Sequence, residues 1–246
     1  MFHIRICDIV LWLLLVTSST TAFSMNHKKV FGDDWLKAEQ YVSEHQQKWK
    51  ETFDFFGVDA SVAVAIVFPE LVRYSMWQDE IETAVVNNLY IAGGKQHANF
   101  SIGRFQMKPS FAEDVDNEWN HSPLAQEFDF VFDTHDTSNA RKNRIKRLST
   151  IEGQVRYLAI FIRLQQLRHP RLLKLPKAEQ VRYLATAYNR SYTASWDDIL
   201  RMEKEKHFHT DIIKIGHTRL YRYGDIAVEY YTKTGVCGRR CPKLIG

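Results

Sequence analysis

Residues 59–70 read DASVAVAIVFPE. Asp59 carries the short acceptor side chain that suits a helix N-cap. Behind it Val62, Ala63, Ile66 and Val67 recur at steps of three and four, which predicts a helix with a buried face. The apolar run ends at Pro69 and Glu70. Proline inside a helix forfeits a hydrogen bond and bends the axis, so Glu70 is expected at a kink or a helix end. A carboxylate directly after such a run is out of place, because burying an ion is costly. One resolution is a raised pKa: a free Glu titrates near ~4.3, whereas a carboxyl in an apolar pocket reaches ~6 and can serve as a general acid. The other is a carboxylate that points to solvent or pairs with Arg73.

Working outward, the same periodicity recurs. Gly32-Asp33-Asp34 offers cap chemistry for a helix whose face is Trp35, Ala38, Val42, His45, Trp49 and Phe53, and Phe56-Gly57 ends it. Asp79 to Glu82 matches a capping box ahead of Ile81, Ala84, Val85 and Leu89, and Gly93-Gly94 stops that helix. Residues 98–110 read as irregular, punctuated by Gly103 and Pro109. From about 116 to 150 the pattern dissolves: Asp129, Asp133 and Asp136 are followed by Arg141, Lys142, Arg144, Lys146 and Arg147. That predicts a polar insertion, a solvated loop with a helical piece. Ser149-Thr150-Ile151-Glu152 is a further capping box, before an apolar face of Val155, Leu158, Ala159 and Ile162. Pro176 opens a helix through Val181, Leu184, Ala185 and Tyr188. Shorter helical pieces follow near 197–204 and 225–231. No internal repeat or run of alternating strands is present, so the expected class is mainly α in one domain.

The composition is globular: 246 residues, 45% hydrophobic and 25% charged. A net charge of +4 does not demand nucleic acid and would suit a polyanionic matrix only weakly. Residues 1–24 carry Arg5, an apolar run from Ile9 to Val16, and Ala22-Phe23-Ser24, the pattern of a cleaved secretory signal too short to anchor. The expectation is therefore a periplasmic or secreted protein with no stable membrane anchor, a helix over 25–54, a main domain over 55–235 and a tail over 236–246. In an oxidising compartment Cys237 and Cys241 could pair and clip that tail. Two thiols alone cannot complete a zinc site. His207, His209 and His217 are a conceivable ligand set without an evident acidic partner, so no metal and no cofactor are expected.

Three further segments carry polar chemistry. Ser101 to Pro109 reads SIGRFQMKP. Gly103 would let backbone approach a ligand closely, and Gln106 offers the donor and acceptor that sugar hydroxyl and N-acetyl groups need; a structural turn is the alternative. Ala185 to Asn189 reads ATAYN, in which Tyr188 could be core and Asn189 a C-cap. His217 to Tyr221 reads HTRLY, with a cap followed by packing as the plain alternative.

In this order the segments resemble the soluble, goose-lysozyme-like lytic transglycosylases. That family runs a catalytic Glu, then Gly-x-x-Gln-x-x-Pro, then Ala-Tyr-Asn, then Thr-Arg-x-Tyr. Here these match Glu70, Gly103 to Pro109, Ala187 to Asn189 and Thr218 to Tyr221, over about residues 55–235. Departures stand at Leu71 (often Ser in the family), Arg104-Phe105 (Leu-Met), Arg190-Ser191 (Ala-Gly) and His217 (Glu). The resemblance implies a single lysozyme-like domain acting on peptidoglycan glycan strands as a monomer. It makes Glu70 the acid and then the base. It gives Gln106, Tyr188 and Asn189 the task of orienting an N-acetyl sugar, and has Ser101 and Tyr221 shape the cleft. The alternatives are a lysozyme-type hydrolase and a non-catalytic wall-binding scaffold.

Overall fold

The computed structural model describes residues 25–74, 81–210 and 218–237, with the side chains of 81–86 and 235–237 outside that description. The expected signal segment 1–24, the box at Asp79, His217, and the side chains of Cys237 and Cys241 lie outside the described residues. The helices in chain order are α1 (His27–Phe31), α2 (Asp33–Phe55), α3 (Ala60–Tyr74), α4 (Ile81–Gly93), α5 (Pro109–His121), α6 (Pro123–Glu127), α7 (Ser138–Leu148), α8 (Ile151–Arg168), α9 (Lys177–Arg190), α10 (Trp196–Met202) and α11 (Tyr223–Cys237), with a 3-10 turn at Pro170–Lys174. Two isolated bridges, Ile102 with Met107 and Phe208 with Tyr221, are the extended pairing among the described residues. The fold is mainly α. Among the described residues no helix is long and apolar enough to cross a membrane.

α3 is the axis of the fold. Asp59 caps it, its Oδ1 accepting from the backbone N–H groups of Ser61 and Val62. Every residue from Val62 to Val72 is buried, as expected of a helix apolar all round. It packs against α2, α9 and α11. Phe68 marks the centre: its ring stacks on Tyr230 of α11 at 3.7 Å and meets Trp35 of α2 edge-on at 4.7 Å. Pro69 does not end the helix, which runs on to Tyr74. Glu70 is therefore an interior helical residue held by packing on every side, where the sequence suggested a kink or an end.

Only part of the polar insertion expected over 116–150 is solvated; the rest is built into the core. α5, α6 and α7 occupy much of it, and Phe128, Phe130 and Phe132 pack against the cluster around Trp119 and Phe56. Asp129, Asp133, Asp136, Lys142 and Lys146 are exposed, as a solvated segment would have them, but Arg141 and Arg144 turn inward. Asp116 is fully buried and accepts from Arg144 Nε at 3.0 Å, Arg147 Nη2 at 2.9 Å and the Tyr157 hydroxyl at 2.8 Å. Arg144 also donates to the Tyr90 hydroxyl at 2.7 Å, tying α7 to α4. Arg141 donates to the carbonyls of Ile91 and Ala92 at the end of α4. Paired in this way, ions tolerate burial that would otherwise be prohibitive.

The box at the start of α8 also forms differently. Thr150, not Ser149, is the cap, accepting from the Gly153 N–H at 3.2 Å. The third helical position is then a glycine that cannot reach back. Glu152 turns outward to Lys48, at 2.6 Å.

Candidate active site

Glu70 lies 4% exposed beneath an open cleft of about 490 Å3. The wall comes from α3 with Glu70 and Arg73, the 99–108 segment with Ser101, Gln106 and Lys108, and the first turns of α5 with Phe111 and Asp114. Tyr188, Asn189 and Arg190 at the end of α9, Tyr192 just beyond, and His207 to His209 complete it.

Both readings of Glu70 hold at once, and their balance decides its chemistry. Arg73 Nη1 stands 3.6 Å from Oε2, Asn189 hydrogen-bonds the carboxyl, and Lys108 adds a more distant positive charge; all three favour the ionised form. Burial opposes them and wins, pushing the pKa up to about 7. Oε2 itself accepts no hydrogen bond although it is fully buried. A carboxyl poised at that value under a polar cleft can give a proton and take one back near neutrality.

Ser101, Gln106, Tyr188 and Asn189 all border this cleft with Glu70. The segment between Ile102 and Met107 closes as a tight turn, with paired backbone hydrogen bonds of 2.9 and 3.1 Å. Gln106 sits in it with φ +52° and donates from Nε2 to the Gly103 carbonyl at 2.8 Å. That strained backbone turns the residue to the cleft. Gly103 has φ +65°, and a Cβ there would fall 1.7 Å from Gln154 Nε2. The close approach that requires glycine is thus to the Gln154 side chain, not to a ligand. The Tyr188 hydroxyl donates to the Phe105 carbonyl at 2.5 Å, so this phenol holds the turn; burial and the nearby Glu70 charge raise its pKa well above the usual tyrosine value.

Tyr221 does not join the others. It is buried behind the cleft, its ring 5.1 Å from Phe31 and 6.1 Å from His27, and it borders a separate groove with Met25 and Glu229. Its backbone pairs with Phe208 at 2.8 and 3.1 Å. The extended pairing, which no run of alternating residues announced, puts Tyr221 one layer back: it supports the 207–209 segment that does face the cleft.

Asp114 is a cleft residue that sequence reasoning missed, and burial raises its pKa. Pro109 at the first helical position, with Phe111, Ala112, Val115 and Trp119 behind it, was the available signal for α5. His207 and His209 border the cleft. Among the described residues no three His, Cys, Asp or Glu side chains are grouped as metal ligands would be.

Of the departures from the transglycosylase pattern, Leu71 is buried in the core. Arg104 lies over the rings of Tyr41 and Tyr74, at 4.5 and 4.4 Å, outside the cleft wall. Phe105 is buried edge-on against Trp49. Arg190 and Ser191 do face the cleft, and Arg190 is held by Glu205 at 2.7 Å. Comparison with family models, with curated proteins and with solved structures gives no match to this chain.

Proposed function

We propose that this protein cleaves the glycan strands of peptidoglycan as a lytic transglycosylase of lysozyme-like fold, outside the cytoplasm, with Glu70 as its acid and base. The observation that carries the reading is a carboxyl group with a pKa near 7, buried under an open polar cleft bordered by Gln106, Tyr188 and Asn189. Glu70 in its acid form would protonate the oxygen between N-acetylmuramic acid and N-acetylglucosamine as the bond to the anomeric carbon breaks. The neighbouring acetamido group stabilises the developing cation. The carboxylate left behind then takes the proton of the sugar's own 6-hydroxyl, whose oxygen closes the 1,6-anhydro ring. Glu70 ends protonated, as it began, and water is not consumed. Asn189 hydrogen-bonds the carboxyl and would keep it aimed. Ser101 and Gln106 offer polar contacts along the cleft for the sugar.

A second reading has one observation in its favour. Asp114 supplies another carboxyl to the same cleft, and hydrolysing glycosidases commonly use a pair. Digestion of purified peptidoglycan followed by mass spectrometry separates the two. Anhydro ends that persist in Asp114→Asn support the transglycosylase. Reducing ends that vanish in that variant support the hydrolase.

A further inference from the structure

We propose that Gln154, on α8 and outside the cleft, is a positioning residue that holds the Gly103–Met107 turn and, through it, the Tyr188–Asn189 end of α9 against Glu70; this rests on the proposed role of Glu70. Gln154 is 1% exposed, and both ends of its amide are used. Oε1 accepts from the Phe105 N–H at 2.8 Å, and Nε2 donates to the Leu148 carbonyl at 2.6 Å. The amide therefore bridges the end of α7 to the middle of the turn.

Among the described residues no other side-chain hydrogen bond ties the turn to α7 or α8, and Gly103 closes on the amide so tightly that a methyl group would collide with it. The same residue that Gln154 holds by its backbone nitrogen passes the influence on. The carbonyl of Phe105 accepts the Tyr188 hydroxyl, and Asn189, the next residue, hydrogen-bonds Glu70. Gln106, also next to Phe105, borders the cleft. A buried polar side chain satisfied at both ends fixes geometry better than an apolar one of equal volume, because displacement leaves a donor or acceptor unpaired. Gln154 thus sets where the turn sits, and the cleft residues Gln106, Tyr188 and Asn189 inherit that position.

The test is Gln154→Leu, which keeps the volume and removes both hydrogen bonds, read by 13C NMR titration of the Glu70 carboxyl and by turnover of purified peptidoglycan. The expected result is a Glu70 pKa that falls toward the ordinary range, because a loosened turn admits water. A kcat lowered about 10- to 100-fold, with KM changed less, should accompany it, since small misplacements far from the reacting atoms have that effect. If Gln154→Leu does not fold, Gln154→Met is read in the same way. A Glu70 titration identical to the parent's overturns the proposal, whatever the rate does. A parent protein that leaves peptidoglycan intact would refute the functional reading instead, and the titration would still decide the role of Gln154.

Discussion

Replacing Glu70 by Gln keeps the side chain's size and removes its titration, so the pH dependence of stability measures what burial does to this carboxyl. The folded value of about 7 stands against ~4.3 in an unfolded chain, a gap equivalent to about 4 kcal/mol. The sign follows from which state releases its proton first. Below pH ~4.3 both states hold it and Glu70 costs nothing. As pH rises the unfolded chain ionises first, so the parent loses stability progressively until the folded carboxyl ionises near 7, and above that the loss is complete. Glu70→Gln lacks this loss. The 3.6 Å ion pair with Arg73 is already contained in the folded value, so its loss subtracts nothing further. The variant should therefore match the parent near pH 4, and exceed it by up to about 4 kcal/mol at pH 8. For a chain of this size that is a melting-temperature advantage of about 8–15 °C. Thermal denaturation of both proteins across pH 4–8 measures it. A stability difference that does not change with pH would refute the claim that burial outweighs Arg73 at this group.

Tyr188→Phe removes only the hydroxyl that binds the Phe105 carbonyl; turnover should fall about tenfold with the fold intact, and unaltered activity would remove Tyr188 from the account. Asp116→Ala leaves Arg144 and Arg147 without their shared buried carboxylate, and should lower stability by about 3 kcal/mol, seen as a reduced midpoint in urea. Cys237 and Cys241 should form one disulfide in protein taken from an oxidising compartment, a modest gain because the loop is short; thiol counting under denaturing, non-reducing conditions checks it. The mature chain should begin near Met25, which N-terminal sequencing reads directly.

The parts of this fold that were legible share one physical origin. α2, α3 and α9 bury a continuous apolar face, and a face of that kind leaves steps of three and four in the sequence, as Trp35 to Phe53 and Val181 to Tyr188 do. The position of Glu70 behind an apolar run was legible for the same reason. The buried part of the 116–150 region was not, because an arginine that pairs with Asp116 in the core and one that faces water are spelled alike. Only the fold brings Arg144 to Asp116 and Tyr90. Asp114 was hidden because α5 was not separated from that region. Tyr221 was misplaced because its partner is the backbone of Phe208, and a two-residue bridge leaves no periodic trace. Gly103 was singled out for the right property and the wrong neighbour, since nothing in SIGRFQMKP points to a glutamine on a helix that begins at Ile151.

The central claim, that Glu70 transfers the proton in cleaving a glycan strand, is tested most directly by incubating purified peptidoglycan with the parent and with Glu70→Gln and measuring the muropeptide fragments released. The account predicts soluble fragments with 1,6-anhydro ends from the parent, and release lowered by ~10² to 10⁴ in the variant while wall binding and folding persist. Equal release by the two proteins would contradict it.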